Sequence, residues 1–377
     1  MTSPPPIDSS ESSQHDSAQA HHTRRSLRYA KPHLQRAAFR LVAYLLLAYV
    51  VLKLIPALEQ ALSSLEHVSW PWVLAALALE TVSEIGFVAS WSAIVDPEDL
   101  LTAEGRGRRL DSRVAWAQLG GGTLIPGGSY GGLGVGAWIL HRLGMSARVI
   151  AEREFNLSFL NTAVDALALI VFGVGLATGI LSGEQRLLLT VLPAAVAAAG
   201  VTAALLIARR ARGHAERLQA KHPKIATALT TLANAVDDTK RLLFERGNWT
   251  SVLGIVAYLG FDVLVLWTAF LAVHAHPLPG FAIVIMAYII GALGGSIPLP
   301  ASIGTIGGIA GMLILYGVAH NPAIAAVLLH QAIGLLVPLT GGGIAYAILR
   351  RRFGPIVHSA DSPAQAGQDP PRIADSR

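Results

Sequence analysis

An apolar stretch broken by proline and glycine, residues 289–311, constrains the fold of this chain most. It reads IIGALGGSIPLPASIGTIGGIAG, which is apolar enough for a membrane but too interrupted for a plain spanning helix. Pro298 and Pro300 each remove a backbone donor and clash with the preceding turn. In hydrocarbon every backbone N–H and C=O needs a partner, so irregular backbone survives at membrane depth only inside protein or beside a water-filled cavity. We therefore expect this stretch to line a cavity.

A second stretch of the same kind, residues 119–136, lies in the first half and reads LGGGTLIPGGSYGGLGVG. Interrupted apolar segments in corresponding positions of two halves indicate a transport site between inverted repeats. Two kinked helices packed through small residues would give the same pattern. The residues predicted to line the cavity are Pro126, Gly127, Gly128, Ser129, Pro298, Pro300, Ser302 and Gly304.

Composition places the chain among polytopic membrane proteins, because 53% of its residues are hydrophobic and 14% are charged. The net charge of +5 comes from basic residues near the ends of apolar runs, which is a topology signal, so nucleic acid is not an expected partner. The absence of cysteine excludes disulfides, thiol nucleophiles and thiolate metal sites.

The apolar runs predict an all-α polytopic membrane protein with about six full spans and two Pro/Gly-broken re-entrant or hairpin segments in an inverted-topology repeat. The expected full spans cover residues 41–58, 70–95, 155–181, 187–208, 249–273 and 322–349. Arginines flank the first hairpin (114–140) on both sides, which predicts entry from the cytoplasm. The loop before the second hairpin (280–319) has no Lys or Arg, which predicts entry from outside.

The domain organisation follows from the same pattern. Residues 1–36 and 353–377 are predicted to be disordered cytoplasmic tails on either side of a membrane domain, 37–352. The long loop 209–248 has nine basic and four acidic residues and should be cytoplasmic. It contains one helical apolar face that would lie on the leaflet or belong to a solvated helix, formed by Ile225, Leu229, Leu232, Val236 and Leu243.

Four acids lie deep in the expected spans: Glu80, Glu84, Asp165 and Asp262. A charge at mid-bilayer costs about 2.5–3.5 kcal/mol, so each acid needs a reason to be there. A functional reason is a wet cavity that binds a cationic group or exchanges protons, with Glu80 and Glu84 sharing a helix face. A structural reason is hydrogen bonding across helices, or protonation. His330 is expected to be a packed, hydrogen-bonded residue.

Motifs for catalysis or cofactor binding are not found. The glycine runs lack the strand–helix context of a dinucleotide site, and Walker, H-E-x-x-H and G-x-S-x-G patterns are absent. We therefore expect no enzyme activity, no cofactor and no metal. The G-x-x-x-G pairs Gly132/Gly136, Gly304/Gly308 and Gly307/Gly311 are expected to pack helices closely.

Residues 293–352, with GGSIPLPASIGTIGGIAGMLILYG at their core, resemble the C-terminal part of the flippase-like membrane domain of lysylphosphatidylglycerol synthases. The earlier LIPGGSYGGLGVGAWILHRLGMS, with Asp165 downstream, resembles the N-terminal hairpin of that family. The likeness covers roughly residues 40–350. Stand-alone relatives without the soluble synthase domain are most similar.

The resemblance implies a multi-pass protein of the bacterial plasma membrane with re-entrant segments, which transfers a lipid between leaflets in some members. Lysyl transfer belongs to the separate soluble domain, so synthase activity is not expected. The chain departs from the family pattern at Gly132 and Gly307, where acids are frequent, and at Gln331, where Arg is frequent. It also has Asn161 and Thr162 in place of a Glu-Arg pair, while Asp165 remains.

Three functional hypotheses follow. The first is translocation of a lipid or lipid-linked molecule, with membrane lipids as partners and the deep acids contacting an amine headgroup or coupling protons. The second is transport of a small soluble cation or metabolite. The third is a non-transporting scaffold for an envelope enzyme. A homo-oligomer is compatible with all three.

Overall fold

Ten α-helices form the part of the chain that the computed structural model describes, which is residues 68–96, 110–124, 129–181, 183, 187–221, 223–244, 249–296 and 303–353. These ranges contain no strand. The chain divides into two units, Met1–His67 and Val68–Arg377, and every described residue belongs to the second unit.

The helices follow a plan of two similar halves around a central pair. The first half comprises α1 (Trp70–Val95), α2 (Leu110–Leu124), α3 (Ser129–Arg142) and α4 (Ala147–Ala177). The central pair is α5 (Leu187–Lys221) and α6 (Pro223–Phe244). The second half comprises α7 (Trp249–Ala272), α8 (Phe281–Ala292), α9 (Ile303–Leu315) and α10 (His320–Phe353), with a 3-10 turn at Leu293–Ser296 after α8.

Five of these helices, α1, α4, α5, α7 and α10, are long and apolar enough to cross a membrane. They coincide with five of the six predicted full spans. The sixth, residues 41–58, lies outside the described residues, as do the predicted tail at 1–36 and residues 354–377. Helices α2, α3, α8 and α9 are shorter and form the two predicted hairpins.

Helix α4 begins earlier than its apolar run predicts, at Ala147 instead of residue 155. Ser146 is the N-cap, and its hydroxyl accepts a hydrogen bond from the Val149 N–H at 3.4 Å. Arg153, expected in a loop, therefore lies on the helix, where its guanidinium donates to the Val95 carbonyl at the end of α1 at 2.6 Å. A cation at that position also complements the negative end of the α1 dipole.

The long loop is largely helical. Helix α5 continues to Lys221, well past residue 208, and α6 folds back onto it. The apolar face of α6, through Leu229, Leu232 and Val236, packs on α5 and α4 around Ala208 and Phe159. Of the predicted apolar face, these three side chains pack against protein, whereas Ile225 is 52% exposed and the side chain of Leu243 lies outside the described residues.

Helices α1 and α7 are antiparallel and meet along most of their length. The Ser69 N–H donates to the Ala272 carbonyl at 2.9 Å, and the Ser90 hydroxyl donates to the Ser251 carbonyl at 2.7 Å, so opposite ends of the two helices are paired. Between these points Gly86 and Gly254 lie face to face. A Cβ on Gly86 would lie 2.7 Å from the Gly254 carbonyl oxygen, so the backbones approach more closely than any side chain allows.

The two halves pack in matching ways. Helix α2 packs on α10 as α8 packs on α4, and α1 contacts α4 as α7 contacts α10. Four further contacts have a counterpart in the other half. The α2–α3 contact corresponds to α8–α9, α3–α4 to α9–α10, α1–α10 to α7–α4, and α1–α2 to α7–α8. Because α1 and α7 are antiparallel, the halves have opposite orientations. This arrangement is the predicted inverted-topology repeat, and one continuous hydrophobic core spans both halves.

Glycines bring the two helices of each hairpin into close contact. In the second, Gly291 faces Gly308 and Gly294 faces Gly304, so the arms of α8–α9 touch backbone to backbone. In the first, Gly132 lies against Gln118 and Gly122. Not every predicted pair is used: a Cβ on Gly307 or Gly311 would meet nothing within 4 Å, so this pair does not hold described helices together.

Candidate functional site

The deep acids of α1 and α7 meet between the two halves. Glu80 and Glu84 lie in the middle of α1, and Asp262 lies in the middle of α7, the helix packed against it. His330 reaches the same region from α10, where Gly334, one turn further on, faces Glu80. Residues from both repeats thus converge near the centre of their helices, where transporters of this plan bind substrates and coupling ions.

Asp262 is the best-satisfied acid of the group. The His330 Nε2 lies 2.7 Å from its Oδ1, and the Tyr288 hydroxyl donates to its Oδ2. The Tyr288 and His330 rings pack edge to face, with centroids 5.8 Å apart. The Gln331 amide nitrogen lies 3.5 Å from the other ring nitrogen of His330. Three helices, α7, α8 and α10, are therefore joined at one carboxylate.

Glu80 and Glu84 have a different environment. Each is only 4% exposed, and one carboxyl oxygen of each, Oε2, has no hydrogen-bond partner among the described residues. Glu80 lies within electrostatic range of Asp262, Glu84 and His330. In the described part of the chain no Lys or Arg forms an ion pair with any of these carboxyls.

Asp165, on α4, is the fourth predicted acid, and it borders the group. It is partly buried and lies within electrostatic range of Asp262 on α7. The Ser83 hydroxyl of α1 donates to the Tyr258 carbonyl of α7 at 2.7 Å, and Tyr258 lies within electrostatic range of all four acids. All four predicted acids thus belong to one region.

The hairpins point toward this region. Gly120 of α2 lies against Pro338 and Gly342 of α10, and Trp116, one turn earlier on α2, lies against Gly341 and Gly342, so α2 runs antiparallel to α10. By that register the C-terminal end of α2 approaches the level of Gly334, beside Glu80. Helix α8 supplies Tyr288 from the other hairpin.

The predicted cavity-lining residues can be located only in part. Pro126, Gly127, Gly128, Pro298, Pro300 and Ser302 lie outside the described residues. Ser129 begins α3, and its side chain is likewise outside the description. Gly304 lies against Gly294 within the second hairpin, where it serves packing.

A second buried polar network was not predicted. The Glu154 carboxylate on α4 accepts from the Trp91 indole N–H at 3.3 Å and from the Gln118 amide at 3.0 Å, and Trp91 also donates to Gln118 at 3.0 Å. Glu154 lies just before the predicted span 155–181 and is not among the predicted deep acids. The spacing of Ile150, Leu157 and Val164, seven residues apart, could have placed it on a buried helix face. This network ties α1, the first hairpin and α4 together.

The chemistry available at the site is binding and proton exchange. The group offers carboxyls, an imidazole and phenols. In the described ranges no three His, Asp or Glu side chains converge as metal ligands. An excess of acidic over basic groups favours cationic ligands, ammonium or proton.

Comparison with known proteins agrees with the helical plan. Residues 39–342 match the family described as the lysylphosphatidylglycerol synthase TM region. No curated protein matches the chain. The match spans most of the chain, including both hairpins and every acid of the site, and no soluble synthase domain is shown. The chain is therefore an integral membrane protein that belongs to the lysylphosphatidylglycerol synthase transmembrane family.

Proposed function

We propose that this protein translocates a lipid or lipid-linked molecule between the leaflets of the bacterial plasma membrane. The observation that supports this proposal is the meeting of Glu80, Glu84, Asp262 and His330 between inverted repeats. Buried charged groups in a membrane are costly and are retained where a substrate or ion passes. Two oppositely oriented halves around such a site are suited to alternating access.

The outer surface of the second unit also supports a lipid-facing role. Helices α4 and α5 expose large apolar side chains, including Leu167, Val171 and Leu188. Helix α4 also carries Asp165 and contacts α1 and α7, so a headgroup that approaches along α4 would reach the acids from the side while its chains stay in hydrocarbon. An amine-bearing headgroup fits the acidic site better than an anionic one.

The test uses the full-length protein in liposomes with fluorescent phospholipids that differ only in headgroup, and a membrane-impermeant quencher reports the outer leaflet. We expect faster exchange between leaflets than in protein-free liposomes, with a preference for amine headgroups. Asp262→Asn should abolish the acceleration, because Asp262 joins both repeats at the site. Glu152→Gln, an exposed position on α4, should not.

A small soluble cation is the second candidate substrate, because the acidic site by itself does not require lipid. Uptake of a soluble cation that depends on Glu84, with no acceleration of any lipid, would reject lipid translocation in favour of this alternative. Absence of both activities would reject transport.

A further inference from the structure

We propose that Glu80, Glu84, Asp262 and His330 form a proton-binding site that is loaded in the conformation described here and discharges when the region between the repeats opens to water. The proposal names the proton as the coupling ion of the proposed translocation. Its coupling step rests on that function, whereas proton loading does not.

The unpartnered oxygens of Glu80 and Glu84 are the first argument. Both side chains are 4% exposed, and within the described part of the chain Oε2 of each lacks a hydrogen-bond partner. An ionised carboxylate removed from water needs several donors or a counter-charge, and its burial without them is far more costly than burial of the neutral acid. The neutral form of each carboxyl is therefore the one compatible with this environment.

The count of charges around the two carboxyls is the second argument. The titratable groups that face them are Asp262 and Tyr258 of α7, His330 of α10, Asp165 of α4 and Tyr288 of α8. Among these groups His330 alone can be cationic, and it already lies 2.7 Å from Asp262. His330 neutralises at most one carboxylate, so Glu80 and Glu84 must each bind a proton to be neutral.

The packing beside Glu80 is the third argument, and in this closed arrangement it favours a proton over a larger cation, which would enter only after opening. A Cβ on Gly334 would lie 3.5 Å from Oε1 of Glu80, so α10 already forms a wall at ordinary contact distance. A multivalent metal would need three or more converging ligands, and the described side chains offer no such group. A proton needs neither space nor further ligands.

Separation of the helices around the site provides the second step, in which the protons are released. If α10 and α7 separate from α1, water reaches Glu80 and Glu84 and solvates their carboxylates. Each O–H bond then breaks with its electron pair left on the carboxylate oxygen, and the proton passes to water. Return to the closed arrangement requires protons to be taken up again. Proton release and uptake are thereby linked to the two conformations.

The loading step is tested by infrared spectroscopy of the full-length protein in lipid nanodiscs at neutral pH. We expect the C=O stretching absorption of protonated carboxylic acids, shifted on exchange into deuterium oxide. Glu80→Gln and Glu84→Gln should each reduce it, whereas Glu152→Gln, an exposed carboxylate on α4, should leave it unchanged. No such absorption in the unmodified protein would overturn the proposal even if the variants failed to fold. An absorption that both site variants leave intact would overturn it equally.

The coupling step is tested in liposomes that contain the protein, a trapped pH-sensitive dye and a fluorescent aminophospholipid. An imposed pH gradient should change the rate of lipid exchange, and Glu84→Gln should lose this dependence while Glu152→Gln keeps it. Lipid exchange that ignores the gradient would overturn the coupling. If the unmodified protein moves no lipid, the proposed function fails, and the infrared result still decides whether the site binds protons.

Discussion

At the scale of single residues, the buried acids divide into satisfied and unsatisfied groups. Asp262 has a partner on each oxygen, and Glu154 accepts from an indole and an amide. Glu80 and Glu84 each keep an unpaired oxygen in a buried position. Satisfied polar groups fix helices to one another, whereas unsatisfied ones mark sites where something else binds. The two groups therefore differ in environment, although all are acids in apolar helices.

The pair of Asp262 and His330 yields a prediction on stability. His330→Ala should lower the free energy of unfolding by about 3–5 kcal/mol, because it leaves a buried carboxylate with one partner of two. Asp262→Asn should also destabilise. The double variant should lose less than the sum of the two, because neither partner is then left alone. Denaturant or thermal unfolding in detergent measures all three.

The control for this cycle is His320→Ala, an exposed histidine at the start of the same helix. Its effect should lie within about 0.5 kcal/mol of zero, as for most surface substitutions. Equal effects of the two histidine variants, or strict additivity in the double variant, would contradict the assigned contact.

Sequence predicted which residues bear the charge here but not how they are paired. Glu80, Glu84, Asp165 and Asp262 were identifiable because charges are rare in apolar spans. The contact between Asp262 and His330 joins residues 68 positions apart, and no local pattern encodes it. Tyr288 gave no signal at all, since a tyrosine in an apolar helix is ordinary.

At the scale of helices, small residues determine how closely the elements approach. The crossing of α1 and α7 depends on Gly86 and Gly254, and the second hairpin depends on Gly291 and Gly308. Without a hydrophobic driving force between helices in lipid, close backbone contact and hydrogen bonding provide the association. The acids of α1 and α7 can approach one another because these glycines bring the two helices together.

Gly86→Ala tests this dependence. The added methyl would lie 2.7 Å from the Gly254 carbonyl, and backbone has to move, so we expect a loss of about 1–3 kcal/mol in unfolding free energy. Gly260→Ala is the matched control, because its Cβ would meet nothing within 4 Å in the neighbouring helix. That change should stabilise α7 by about 0.5–1 kcal/mol. Thermal unfolding in detergent measures the melting temperatures of both variants. Similar values would count against the close crossing of α1 and α7.

Helix existence was predictable, whereas helix ends were not. The apolar runs located α1 and α7 within a residue or so. They missed the first two turns of α4 because hydropathy weighs Arg148 and Arg153 as loop residues, although a serine cap and a contact with the end of α1 keep them helical. As a result Glu154 was overlooked. Polar residues at the membrane boundary lie in helices as readily as in loops when tertiary contacts satisfy their hydrogen-bonding groups.

At the scale of the whole molecule, the two halves have opposite orientations about the α1–α7 contact. Each hairpin packs on the last helix of the other half, α2 on α10 and α8 on α4. A site at this interface belongs to both repeats, so relative movement of the repeats changes its surroundings from both sides.

Single cysteines test this topology without background, since the chain has none. Ala147 follows the first hairpin, Ala319 follows the second, and both are exposed. In sealed vesicles we expect Ala147→Cys to react with a membrane-impermeant reagent from the cytoplasmic face and Ala319→Cys from the opposite face. Reaction of both from the same face would reject the inverted arrangement in the membrane.

The sequence by itself determined the class of this protein, its long spans, the two interrupted hairpins and the presence of acids within apolar helices. These properties are local, since hydropathy, proline and glycine act on the segment in which they occur. Only the tertiary structure decided that Asp262 pairs with His330 and Tyr288, that Glu80 and Glu84 remain unpaired beside them, and that α6 packs on α5. Those outcomes depend on which helix faces meet, and contact between distant segments is a property of the packed molecule.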